Sequence, residues 1–461
     1  MTAIRTNSPA PMPGADTRVR RSAASIFVAL LGALGLLLTL LAAPASAHPP
    51  GVTERVSLSS TGVAGDADST LAAVSADGRF VAFWSLASTL VPGDTNGAAD
   101  VFVHDRVSGA TERVSVDSRE RQATGAGLDT NFGRPAISAD GRFVAFASSA
   151  TNLVKGDRNQ AADIFVRDRA AGTTERVTVV GRKTEANGGS SNPSISPDGR
   201  FIAYSSGSNN LVAGDTNFTS DVFLLDRATG VLQRVSVSSA GTEGDNASGS
   251  PAVSADGRLV AFASDASNLV PGEPNDSASD VYLRDVQTGT TEGISTASTG
   301  ILRHSAAPAI SPDGRFVAYH SWDGGLVPGD TNDRYDVFVL DRMSGVLERV
   351  SVNSAGVEGN NDSTSPSISS DGRYVAFTSD ADNLVTGDGN FDIDVFVRDR
   401  FLDTTVRVSV RTDGTETGFE LGSLNASVSA DGQVIAFESE GALVPSDSGF
   451  PVDIFVHDEQ P

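Results

Sequence analysis

The chain has 461 residues, with 58 Asp and Glu against 34 Lys and Arg, a formal charge of −24 at pH 7, and no cysteine. So acidic a surface argues against nucleic acid and anionic membrane surfaces as partners. The missing cysteine excludes a disulfide framework and a thiol-linked lipid anchor.

Residues 1–47 read as a secretion signal peptide. Arg18, Arg20 and Arg21 precede an unbroken apolar run from Ile26 to Leu41, and Ala45-Ser46-Ala47 then forms a small-x-small cleavage site. The run is shorter than the roughly 20 residues that span a bilayer. Ser22-Ala23-Ala24 is a poor continuation of a twin-arginine signal, so ordinary export is expected. The mature chain should begin at His48 and be secreted, or periplasmic where an outer membrane exists.

From there one unit repeats. Asp-Gly-Arg occurs at Asp77, Asp140, Asp198, Asp256, Asp313 and Asp371, and a seventh copy reads Asp431-Gly432-Gln433. Successive aspartates lie 57 to 63 residues apart, which marks seven copies of one supersecondary unit. In the third copy, Pro193–Ser196 and Phe201–Tyr204 are expected as strands around the tight turn Ser196-Pro197-Asp198-Gly199. Asp221–Leu225 and Gln233–Val237 follow as a second pair, joined through Asp226-Arg227-Ala228-Thr229-Gly230. Four short strands joined in this way make an antiparallel meander.

The second and third strands, such as Phe143-Val144-Ala145-Phe146 and Ile164-Phe165-Val166, are nearly continuous in apolar residues. Each sheet should therefore be covered on both faces. Radial stacking of the units supplies that cover, so the chain is expected to be all-β, a seven-bladed β-propeller filling residues 48–461. Thr53-Glu54-Arg55-Val56-Ser57-Leu58 reads as a fourth strand with no blade before it. The last copy stops after a third strand, Asp453-Ile454-Phe455-Val456-His457-Asp458. The N-terminal strand should close the ring.

Ser-Pro-Asp-Gly-Arg-Phe-x-Ala-Phe/Tyr followed by Asp-Val-Phe-Val-x-Asp-Arg-x-x-Gly resembles the WD-type repeat of TolB-like β-propellers. That resemblance spans essentially all of residues 48–461. It implies the fold, but the same family includes the propeller halves of prolyl-oligopeptidase-like peptidases and of some pectate-degrading lyases. TolB itself has six blades and an additional N-terminal domain, against seven copies here.

The loops between second and third strands share Gly-Asp-x-Asn-x-x-x-Asp. The regular copies are Asp94/Asn96/Asp100, Asp157/Asn159/Asp163, Asp215/Asn217/Asp221, Asp330/Asn332/Asp336 and Asp388/Asn390/Asp394. Copy four is altered to Glu273/Asn275/Asp280, and copy seven to Asp447/Gly449/Asp453. Hard oxygen ligands at this spacing could wrap Ca²⁺, the one cofactor the sequence suggests. The competing reading is an Asx turn whose last aspartate caps the next strand. With acidic inter-blade segments such as Glu243, Asp245 and Asn246, these loops should make one end of the disc polar and negative.

Catalytic residues are hard to find. His104 and His457 sit beside Asp105 and Asp458, but the expected place for both is a solvated strand end. His304 and His320 stand alone, and no histidine pair has metal-site spacing. No Gly-x-Ser-x-Gly elbow occurs. The serine that recurs from Ser85 to Ser439 is structural, since a nucleophile is needed once. The reading is a secreted, monomeric binding or scaffold propeller whose ligand is carbohydrate or protein on the acidic loop face. Two alternatives stand beside it, a polysaccharide hydrolase or lyase using carboxylates and a calcium-binding propeller.

Overall fold

The structure is a computed structural model that describes residues 51–124, 133–180, 184–272, 278–295, 304–418, 422–447 and 449–459. The chain divides into units of 1–49 and 50–461. The expected signal peptide, His48, Glu273 and Asn275 lie outside the described residues.

The second unit contains seven four-stranded antiparallel sheets. Blade 1 is built from Ser69–Val74, Phe80–Ser85, Asp100–Asp105 and Ala110–Arg113. The first strands touch those of both neighbouring blades all the way round, so they line the centre. In blade 3 the strands are Ser190–Ile195, Phe201–Ser206, Asp221–Asp226 and Val231–Arg234. Its first strand begins three residues before the expected start, and Pro193 is accommodated because the pairing register shifts between Ser191 and Ser194. A bulge there removes the need for the N–H that proline lacks.

The apolar runs account for the packing. Each blade stacks one aromatic of its second strand on one of its third: Phe83 on Phe102 (centroids 6.0 Å apart), Phe146 on Phe165 (5.9 Å), Tyr204 on Phe223 (5.9 Å). These rings are fully buried. Burying one such side chain contributes about 1.5–3 kcal/mol.

Neighbouring blades are held at the Asp-Gly turns by two further devices. The residue after Asp-Gly-Arg lays its side chain over the turn glycine of the next blade: Phe80 on Gly141, Phe143 on Gly199, Phe201 on Gly257. The residue before each turn aspartate donates its N–H to the equivalent carbonyl of the next blade, as from Ala76 to Ala139 (3.1 Å) and from Ala139 to Pro197 (2.9 Å). Pro197 and Pro312 have no N–H to pass on.

The ring closes as expected. Val52–Arg55 pairs antiparallel with Asp453–Asp458. Val434 covers Gly78, and Ala430 N donates to Ala76 O at 2.9 Å. Arg106 of blade 1 binds Glu54 of the closing strand and Asp458 of blade 7, each at 2.6 Å.

Candidate functional site

Two groups of residues at the loop-rich end of the disc have the chemistry to bind something. The first is the set of Asp-x-Asn-x-x-x-Asp loops. Asn96 makes an Asx turn, its Oδ1 accepting from Ala98 N at 3.1 Å while its Nδ2 donates to Asp100 Oδ2 at 2.9 Å. Asn159, Asn217, Asn332 and Asn390 donate to Asp163, Asp221, Asp336 and Asp394 in the same way.

The two aspartates of each loop face a guanidinium from the fourth strand. Arg113 lies 3.1 Å from Asp94 and 3.2 Å from Asp100. Arg176 lies 3.1 and 3.0 Å from Asp157 and Asp163, and Arg407 lies 2.9 and 3.0 Å from Asp388 and Asp394. Arg234 is 3.6 and 3.1 Å from Asp215 and Asp221. Arg349 is 3.4 and 3.3 Å from Asp330 and Asp336. Even the altered seventh copy holds Arg55 between Asp447 and Asp453, at 3.5 and 3.0 Å.

Reading the sequence missed this arginine as a loop partner. Its signal was available: the fourth strands read Glu-Arg, Gln-Arg or Val-Arg except in blade 4, where Gly293 stands in the arginine's place, and that blade carries the altered loop. Four copies bring a third carboxylate to the arginine, Glu185, Glu243, Glu358 and Glu416, and in two of them the acids crowd together. Carboxylate oxygens of Asp215, Asp221 and Glu243, and of Asp330, Asp336 and Glu358, come within 4.8 Å of one another. Burial pushes the Asp157 and Asp388 carboxyls up to about 6, partly offset by Arg176 and Arg407.

The histidine expectation is corrected. His104 and His457 are buried, 7% and 3% exposed. Each shares a hydrogen bond through Nδ1 with a threonine of the adjoining strand, Thr111 at 2.8 Å and Thr53 at 2.9 Å. Burial pushes His457 down to about 4, and Asp105 is taken by the Arg79 fork at 2.8 and 2.7 Å. Neither forms a general-base pair. The fourth strand overlaps this position and shields it from solvent.

The second group is defined by where the copies stop agreeing. In all seven blades the second strand has an aromatic fourth residue and a serine sixth. The residue between them is Trp84, Ala147, Ser205, Ala263, His320, Thr378 or Glu438. Its neighbours on the first strands also diverge, as Leu71, Arg134, Asn192 and Asn425.

Glu438 accepts from Leu71 N at 2.6 Å and from Asn425 Nδ2 at 2.8 Å. Leu71 and Asn425 have left-handed backbones, φ 57° and 57°, as do Asn192, Ser250, Ala307 and Ser365 at the same place in other blades, where the first strand bulges. Arg134 of blade 2 reaches past blade 1 to Ala426 O of blade 7 at 3.0 Å. Burial lowers its pKa, with Glu438 opposing. Trp84 Nε1 donates to Gly133 O at 3.0 Å. A cleft of about 360 Å³ opens beside them, bounded by Asp68, Thr70, Trp84, Leu86 and Glu438. It offers two acids, a threonine hydroxyl and an indole at the mouth of the central channel, with Arg134 held near Glu438, the chemistry of polar recognition.

No family model and no curated protein matches the sequence. Among solved structures, TolB from Acinetobacter baumannii matches at 18% identity over 67% of this chain, with a TM-score of 0.38. This chain spans 59% of that TolB's length. An oligogalacturonate lyase in complex with manganese matches at 13% identity, covering 88% of this chain and 92% of its own, with a TM-score of 0.52. The β-propeller domain of the Trilobed protease from Pyrococcus furiosus, described as having an open velcro topology, matches at 13% identity. It covers 86% of this chain and 95% of its own, with a TM-score of 0.52. The strand order, together with the likeness to the Pyrococcus furiosus propeller domain, identifies the chain as a seven-bladed β-propeller.

Proposed function

We propose that the protein is an exported binding propeller without chemistry of its own, which takes its ligand at the loop-rich end of the disc. One observation carries this reading: in a chain of repeated blades, a position that differs in every strong feature from blade to blade brings Glu438, Arg134 and Trp84 together at the channel mouth. Positions that hold the fold recur in every copy, whereas a ligand is asymmetric and needs different side chains from different blades. Glu438 has both oxygens engaged in hydrogen bonds, which suits positioning a ligand better than shuttling protons. Export is supported by the composition of residues 1–47, and among the described residues no helix is long and apolar enough to cross a membrane. The test is calorimetric titration of the purified chain with soluble glycans and peptides, repeated on Glu438→Gln and Arg134→Ala. Binding that both variants leave untouched would remove the channel mouth from the reading.

A second reading is calcium at blades 3 and 5. There, as in blades 2 and 6, three carboxylates converge on one guanidinium, and in these two blades their oxygens come within 4.8 Å of one another. In this reading Asp215, Asp221 and Glu243, or Asp330, Asp336 and Glu358, would hold the ion as oxygen ligands. A melting temperature that is the same in millimolar calcium and in EDTA would rule it out.

A further inference from the structure

We propose that blade 5 and its junction with blade 6 form a subsite for a neutral saccharide, with a pyranose ring lying on Trp322 and a hydroxyl reaching Asp380. This rests on the binding reading above and gives it a ligand class.

Trp322 and Tyr335 occur in one blade alone. The positions equivalent to Trp322 hold Leu, Ser, Gly, Asp, Asp and Glu, and those equivalent to Tyr335 hold Ala, Ala, Ser, Ser, Ile and Val. The Trp322 ring packs against Tyr335 at 5.8 Å and 41°, and His320 meets Tyr335 edge-on at 5.4 Å and 87°. This packing fixes an aromatic surface that stays 42% exposed, whereas the chain's other tryptophan, Trp84, is 1% exposed.

Polar groups border the shelf. Tyr335 N donates to Asp362 Oδ1 at 3.0 Å, and Asp380 N donates to Asp362 O at 3.2 Å, which ties the aromatic pair to Asp380. Asp380 Oδ2 accepts from Asn361 Nδ2 at 2.8 Å, but its Oδ1 is buried without a hydrogen-bond donor. A buried acceptor left in that state is unfavourable. The terminal torsion of aspartate is soft, and the residue is half-buried, so this oxygen can turn toward a donor arriving from outside.

An apolar ring face beside an acceptor short of one donor matches a sugar, which has C–H groups on its face and hydroxyls around its edge. Asp362 and Asp380 disfavour an anionic sugar. A cation would want rings enclosing it, but here the aromatics form an open shelf, and the charge of Arg334 acts against that of Asp380.

The test is titration of the exported chain with cello-, xylo-, malto-, manno- and N-acetylchito-hexaose, with oligogalacturonate and tetramethylammonium as controls, read by tryptophan fluorescence and calorimetry. At least one neutral oligosaccharide should bind. Trp322→Ala should weaken it about tenfold or more with an unchanged melting curve, Trp322→Phe should recover part of the loss, and Asp380→Ala should also weaken it. If the sugar binds but Trp322→Ala leaves affinity unchanged, the subsite is wrong. Loss in Glu438→Gln instead would then leave the broader binding reading intact. Binding of no neutral sugar at millimolar concentration, or of tetramethylammonium alone, overturns the proposal.

Discussion

The ring of Phe80 in blade 1 lies against the turn glycine Gly141 of blade 2, where a Cβ would overlap the phenyl carbons. The same contact recurs from blade to blade and ends with Val434 over Gly78, so the Asp-Gly-Arg-Phe motif is an inter-blade joint as well as a hairpin turn.

Gly141→Ala should therefore cost more than turn strain alone. Gly97 is a suitable control: its φ is +63° against +70° for Gly141, but no atom lies near enough to meet a Cβ. Gly97→Ala should cost roughly 1–2 kcal/mol for the left-handed backbone. Gly141→Ala should add about 1–3 kcal/mol of overpacking. Urea denaturation of both measures the difference; equal losses would mean the ring contact carries no energy.

Removing residues 48–59 should lower the melting temperature clearly, because it strips the outer edge of blade 7 and Arg106's partner Glu54. Thr53 Oγ1 also donates to Val410 O at 2.7 Å, linking the strand to blade 6. Gly51→Val offers a milder test, since a side chain there overlaps the His457 ring and Asp458 O. A truncated chain that melts within about a degree of the intact one would show that closure contributes nothing.

Arg234→Ala should destabilise by about 3–5 kcal/mol, the usual cost of leaving buried charges without their partner. Its guanidinium faces Asp215 and Asp221, whose side chains are 1% and 0% exposed. Millimolar calcium should restore part of the loss if the three carboxylates can take an ion in its place. Arg349→Ala should behave likewise. Thermal melts with calcium, magnesium and EDTA separate these outcomes.

Stability should rise modestly as pH falls from 7 to about 5, and drop below about 4. Asp157 and Asp388 hold their protons more tightly folded than unfolded, with values near 6 against the ordinary 3.8. They favour folding in full below about 3.8 and lose that contribution as pH climbs to 6. The Arg79 and Arg200 forks do the opposite, holding Asp105 and Asp226 well below the usual carboxylate range. Their contribution is present above about 3.8 and is lost on acidification. Asp157→Asn with Asp388→Asn should flatten the upper slope and leave the acid drop in place, as read by melting temperature against pH.

The blade count, the strand order and the closure by Thr53–Leu58 were legible in the sequence, because turn chemistry and apolar runs act over a few residues and repeat seven times. The Asx turns were legible too, since Asn96 bonds within its own loop. The role of Arg113 was legible only as a correlation, an arginine absent from the one fourth strand whose blade carries an extra loop residue: it stands 13 residues beyond Asp100, and strand pairing is what brings its guanidinium between the two aspartates. Nor could sequence place His104 and His457 in the interior, because their burial comes from a fourth strand folding over them. Glu438 and Arg134 lie about 300 residues apart in the chain. Trp322 and Asp380 belong to different blades. The repeat fixes each blade by local forces, but side chains from different blades meet only once the ring has closed, and that geometry is a property of the whole fold.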